Sequence, residues 1–263
     1  MILGYWLDQP VWLIFGLLAA IFVAAILGLC LLSNLRATRP GMLRLGTGIV
    51  APFFGSVSVL LALLTGFVAN DAWERQRQAS RVVQAERTNV LAVHDLSVAA
   101  APDMADLRAA LVSYVDALIE DEWPKMSEGT SSQRAAEALG RLMQVVADPR
   151  NGVEAGVVTH AALLDAVMTL RTARGERLAL SDAQGDQSKW LTLLVLAGLT
   201  LVAIGLVHME KPWAQATTLV VFSTAIVTTL GVVALHERPF DGPFALQPTP
   251  LHAARAAMEP ARP

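Results

Sequence analysis

Trp190–Val207, WLTLLVLAGLTLVAIGLV, carries no charged residue from end to end. Three further stretches share that property: Val11–Leu32, Leu45–Asn70 and Pro212–Leu235. The hydrocarbon core of a bilayer, about 30 Å thick, takes roughly 20 apolar residues in a helix. A helix packed in a soluble core keeps one polar face, and these stretches have none. They predict an all-α membrane protein with four transmembrane helices.

The charges, 20 Lys and Arg and 23 Asp and Glu, all fall outside the four stretches. The expected layout follows from that division. Residues 1–70 hold spans at about 11–32 and 46–70, and residues 71–189 form a helical extramembrane insert. Residues 190–235 hold spans at about 190–208 and 213–235, and 236–263 form a proline-rich tail. The start of the chain has no Lys or Arg before its first apolar run and no clean small-x-small site after it, so we read that run as a span, not a secretion signal. The protein is expected in the cell membrane as a multi-pass protein.

Several function classes drop out. A net charge of −3 gives no footprint for nucleic acid. The single cysteine, Cys30, forms neither an internal disulfide nor, alone, a metal site, and reads as an apolar filler. No nucleophile–base set, phosphate loop or zinc motif is present, so neither enzyme, metal nor cofactor is expected. His94 and Asp95 are adjacent and point apart on a helix. His160 reads as a packed histidine, and Glu120-Asp121-Glu122 as a solvated helix face. No ionisable residue lies inside a span, which counts against a proton-driven carrier.

The second span has a distinctive face: Ala51, Gly55, Ser58, Ala62, Thr65 and Ala69 step by four and three, and all are small. Such a stripe either packs closely on a neighbouring helix or lines a narrow path. Pro52 is placed to kink this helix. No proline follows until Pro102, so the helix should leave the membrane near Asn70 and run on to about Ala99, with a break or bend on the way.

In the insert, Asp103 is placed to cap a helix reaching about Met126, with Leu107, Leu111, Tyr114, Val115 and Leu118 on one face. Thr130–Gln133 fits a capping box for the next helix, with Leu139, Leu142, Met143 and Val146 as its apolar edge. Asp148–Gly152 reads as a turn. Val153 to about Leu180 reads as an amphipathic helix whose apolar positions include Val157, Leu164 and Val167. Leu251–Met258 reads as a short helix in the tail. No strand signal appears.

At the membrane border, Asp71, Trp73, Glu74 and Arg75 follow the second span, and Arg238, Pro239 and Phe240 follow the fourth. They are expected to form either a mixed-charge collar or ordinary interfacial anchors. Orientation is open at this point. Arg36, Arg39, Arg44 and Lys211 in the two short loops favour a cytoplasmic side for those loops, whereas Arg75, Arg77, Arg81 and Lys189 flank the insert.

Three segments carry a family resemblance: Asn70-Asp71-Ala72-Trp73-Glu74-Arg75, Glu120-Asp121-Glu122-Trp123-Pro124, and Glu237-Arg238-Pro239-Phe240-Asp241-Gly242 with Pro248-Thr249-Pro250-Leu251. In these and in its layout the chain resembles the bestrophin-like family of membrane proteins, and more distantly the bestrophin anion channels. The resemblance implies a homo-oligomer, a pentamer, around a central pore for small ions, with the insert in the cytoplasm. It places a neck of bulky apolar residues at Leu60 and Leu64, off the small face of Gly55, Ser58, Ala62 and Thr65. Pro243-Phe244-Ala245-Leu246 stands where calcium-gated relatives have an acidic run, so calcium gating is not implied. The rival reading is a non-conducting membrane-anchored sensor or scaffold whose insert binds a partner.

Overall fold

The computed structural model describes residues 6, 9–46, 51–100, 104–150, 156–182 and 187–259, with the side chains of 45–46 and 51–54 excepted. Asp103, the start of the helix expected from Val153, and any effect of the Pro52 side chain lie outside what is described. The described chain is helical: α1 (Val11–Asn34), α2 (Arg39–Gly46), α3 (Ala51–Ala99), α4 (Ala105–Ala117), a π-helical turn (Leu118–Glu122), α5 (Trp123–Met126), α6 (Gln133–Ala147), α7 (Val157–Asp182), α8 (Gln187–Val207), α9 (Pro212–Leu235) and α10 (Thr249–Ala257). Among the described residues, helices within Val11–Asn34, Gly55–Ala99, Val157–Val207 and Pro212–Leu235 are long and apolar enough to cross a membrane.

The chain divides into two compact units. Unit 1 is Met1–Glu74 with Gln184–Arg238, and unit 2 is Arg75–Ala183 with Pro239–Pro263.

In unit 1, α1 packs on α8 and α9, and α8 packs on α9 across the short loop between them. Leu18, Phe22, Trp190, Leu193, Ala197, Leu219 and Leu230 form the buried centre. Trp6 meets Trp190 edge to face at 5.4 Å between ring centroids. Close helix approach depends on two glycines: a Cβ at Gly205 would overlap Leu29, and one at Gly231 would overlap the ring of Phe15. On the small face of α3, Ala69 is buried in the core of unit 1, but Gly55 makes no such approach. A Cβ at Gly55 would meet nothing within 4 Å. Ser58 is half-buried and Ala62 exposed, while Thr65 returns its hydroxyl to Leu61 O at 2.7 Å.

α3 runs unbroken over its 49 residues, against the expectation of a break. Beyond Pro52 nothing in it removes a backbone donor, and its polar half is rich in Gln, Glu, Arg and Ala, which favour helix. α4 buries Leu107, Leu111, Tyr114, Val115 and, at its end, Leu118, as its pattern predicts. The π turn follows, and the Trp123 N–H reaches back five residues to Leu118 O. Pro124, which has no N–H to donate, then sits in the first turn of α5.

Two local expectations are corrected. The cap of α6 is Ser132, whose Oγ accepts the Ala135 N–H at 3.0 Å. Thr130 instead donates to Lys125 O at 3.1 Å. On α7, Val157 is exposed and Leu164 partly so, while Leu163, Ala166, Val167 and Leu170 form the buried line. The true register begins one residue earlier than Leu164. Of the turn expected at Asp148–Gly152, Asn151 and Gly152 lie outside the described residues, while Pro149 and Arg150 are helical and Asp148 Oδ1 accepts the Arg150 N–H at 2.9 Å. In the tail, α10 buries Leu251 and Ala254 in the core of unit 2, and Arg255 Nε pairs with Asp116 Oδ1 at 2.7 Å.

Candidate functional site

Helical spacing alone makes a second line on α3. Ser56, Leu60, Leu63, Phe67, Asn70, Glu74, Arg77, Arg81, Gln84 and Thr88 step by four and three, and all are exposed except Glu74, which is half-buried. Leu60, Leu63 and Phe67 are 56%, 55% and 70% exposed within the chain. The opposite line, Leu61, Val68 and Ala72, faces the core of unit 1. Leu60 therefore stands on the open line. Leu64 stands beside it, half-buried against the same core.

The border residues fall in both units. In unit 1, Asp71 pairs with Lys189. Trp73 meets the His236 ring edge to face at 6.3 Å. In unit 2, Phe240 is buried edge to face against Trp123, at 5.8 Å between centroids. Trp123 Nε1 also donates to Leu246 O at 3.2 Å, and Gln76 Nε2 to Phe244 O at 3.0 Å. The turn these bonds hold passes through Gly242 at φ +83°, a conformation that favours glycine. The Glu-Trp-Pro and Pro-Phe segments that carry the resemblance are thus neighbours in unit 2.

Behind Trp123 lies a buried ion-pair node, which the sequence reading missed. Arg177 of α7 is fully buried. Its Nε donates to Glu86 Oε2 at 2.7 Å, and its Nη2 donates to Glu122 Oε1 at 2.6 Å. Nη1 turns to the sulfur of Met126, and the guanidinium carbon lies 5.5 Å from the Trp123 ring centroid. Arg174, one turn earlier, holds both oxygens of Glu122 through Nε at 3.1 and 3.2 Å. Tyr114 donates its hydroxyl to Glu86 Oε1 at 3.0 Å. Two carboxylates thus face two guanidiniums, and the charges balance.

The node fixes protonation as well as position. Burial pushes the Glu122 carboxyl up, but the hydrogen bond from Arg174 and the charge of Arg177 outweigh it, and the group ends below the usual glutamate range. Burial disfavours charge on Arg177, yet Glu86 more than compensates and holds it charged. Burial, then the charge of Glu86, lifts the Tyr114 phenol well above its ordinary value.

The acidic run is therefore not a solvated face. Glu122 is wholly buried, Asp121 pairs with Lys125 at 2.9 Å and bonds Ser132, and only Glu120 keeps a mostly exposed pair, with Arg134 at 3.2 Å. A sequence signal for the node existed: Arg174 and Arg177 continue the buried line of Leu163, Val167 and Leu170. His160 packs as expected, half-buried with Nε2 2.8 Å from Val146 O. His94 and Asp95, expected to diverge, touch at 3.4 Å on the surface. Among the described residues no group of three or more His, Cys, Asp or Glu is placed to hold a metal.

Comparison with known proteins adds a fold and a family. Three solved structures of a bacterial bestrophin homologue from Klebsiella pneumoniae are similar to this chain. One carries an aspartate-to-alanine mutation and matches with a TM-score of 0.69 at 14% identity, covering 90% of this chain and 97% of that one. One with a leucine-to-threonine mutation gives 0.65 at 16%, covering 90% and 96%. One solved by Zn-SAD phasing gives 0.63 at 16%, covering 90% and 95%. The search of curated proteins found no match. A model of the bestrophin-like domain matches residues 20–251, nearly the whole chain, and by that measure this membrane protein belongs to the bestrophin-like family.

Proposed function

We propose that the protein is an ion channel of the cell membrane, a multi-pass homo-oligomer, with five copies placing α3 around a central path for small inorganic ions. The observation that carries this reading is the open line of α3. It is apolar and exposed at Leu60, Leu63 and Phe67 and turns polar at Asn70 and Glu74, all within the part of α3 that belongs to unit 1. Exposed within the chain, this line is open to the same helix of another copy. Leu60 forms the neck, and Leu64 supports it from the core side. Asp71, Trp73, Glu74, Arg75, Arg238, Pro239 and Phe240 brace the path below. Family membership and the shared fold of the bacterial homologues support this reading. A ring of apolar side chains closes a path by excluding water, and opens when the ring widens or its side chains are shortened.

The test is flux through reconstituted vesicles. Leu60→Ala should raise ion leak strongly, and Leu64→Ala more weakly. Wild-type flux in both variants, with the protein inserted, would rule out a neck there. The solubilised particle should have a protein mass near five times 28.1 kDa. A single-chain mass would end the proposal.

A further inference from the structure

One end of unit 1 is built around a buried amide. Gln215 of α9, 1% exposed, donates from Nε2 to Gly205 O of α8 at 2.7 Å and to Ser33 Oγ of α1 at 3.2 Å. It pins the end of α1, the end of α8 and the start of α9 together. The two short connections therefore emerge at the same end, with α2 packed on both α1 and α8.

That end is strongly cationic. Arg36, Arg39, Arg44 and Lys211 are all exposed, and Glu210 is the one acid beside them. None of the four cations has a side-chain ion pair or hydrogen bond among the described residues. Elsewhere the chain pairs many of its arginines with its own acids, as at Arg134, Arg150, Arg174, Arg177 and Arg255.

Apolar side chains are interleaved with these cations. Leu35 and Leu43 are 45% and 41% exposed, and Trp213, two residues past Lys211, is 88% exposed. Cations alone would suit an aqueous mouth. Cations alternating with exposed leucines and an open indole suit the headgroup layer, where apolar parts sink and charges meet phosphate. Met42 anchors the short helix α2 from its other side, against the core of unit 1.

We infer that this end is a binding surface for anionic phospholipid headgroups, with Arg36, Arg39, Arg44 and Lys211 as its phosphate contacts. The lipid supplies the counter-charge that the chain does not. The surface depends on membrane embedding and not on the protein conducting.

The test is lipid retention by the purified full-length protein, measured by native mass spectrometry after exposure to mixed phosphatidylglycerol and phosphatidylcholine micelles. Wild type should retain phosphatidylglycerol preferentially, and R36Q/R39Q/R44Q/K211Q should lose the preference. R134Q/R150Q, which removes two exposed arginines from unit 2, should keep it. Millimolar inorganic phosphate should not displace the lipid, and displacement would point to a free-anion site and overturn the proposal. Equal retention by the quadruple variant and wild type would also overturn it. If circular dichroism shows that the quadruple variant does not fold, the four single glutamine variants are read instead. Each should weaken retention by roughly fivefold, following the contribution of one cation near an anionic surface. Wild-type retention in all four would end the proposal. Leu60→Ala should leave retention unchanged, so failure here and failure of the channel reading are separable.

Discussion

The two units bury polar groups by opposite means. In unit 1 the buried junction that ties three helices together, Gln215 with Ser33 and Gly205 O, is neutral, and the acid this unit buries, Glu237, lies beyond the end of the last span. Its hydroxyls turn inward on their own helix: Thr217, Thr224, Thr228 and Thr229 each bond the carbonyl four residues back, at 2.8–2.9 Å. Unit 2 buries two carboxylates and the Arg177 guanidinium in direct contact, with the part-buried Arg174 closing the set. The proposed setting, unit 1 in lipid and unit 2 in water, accounts for the difference. In hydrocarbon a chain must satisfy its polar groups locally before it folds, and ions are costly at every stage. In water the charges are solvated in the unfolded chain, and the fold recovers the desolvation cost through geometry.

The sharpest way to break this contrast is Arg177→Met. It leaves Glu86 and Glu122 buried with part of their neutralisation gone, a loss expected at about 3–5 kcal/mol. Hydrogen exchange should show α4 and α7 losing protection while α8 and α9 keep theirs. Equal loss in both units would show that the node is not local to unit 2.

Acid should have the same effect reversibly. The carboxyl of Glu122 is lowered from 4.5 in the folded state, so its contribution is complete above that value. It is lost as pH falls below 4.5 through the folded value. Exchange protection of α7 should therefore fall on acidification below about pH 4.5, and Glu122→Gln should flatten that dependence. A pH profile identical in the variant would exclude Glu122 as its source.

Tyr114→Phe removes one hydrogen bond to a charged acceptor that keeps its guanidinium partner, and should cost about 1.5–3 kcal/mol by chemical denaturation. Gln215→Leu probes the neutral counterpart in unit 1, where interhelical bonds average about 0.6 kcal/mol. Its effect on thermal stability in detergent should be smaller than that of Tyr114→Phe. The reverse order would undo the distinction drawn between the two solvents. Smallest of all, Thr228→Val should be nearly silent, since its hydroxyl bonds only Thr224 O of its own helix.

The same contrast explains what could be read from the sequence. Spans are legible because lipid demands an unbroken run without charge, and a run is a local property. The node is not local. Glu86 and Arg177 meet across 91 positions, and neither has neighbours that announce the partner. The exposed place of Val157 was missed because an amphipathic helix of small residues offers several plausible faces, and only packing against α6 selects one. Thr130 and Ser132 are both capping residues by type, and only the folded chain shows which one is used. The Glu-Trp-Pro and Pro-Phe segments stood out, but their mutual contact through Trp123 and Phe240 was invisible until the chain was folded.

Within unit 1, α3 is one unbroken helix from Ala51 to Glu74, so the residues of its open line keep a fixed phase. One extra residue between Leu60 and Phe67 would set the two about 100° out of phase, and seven would bring them almost back into register.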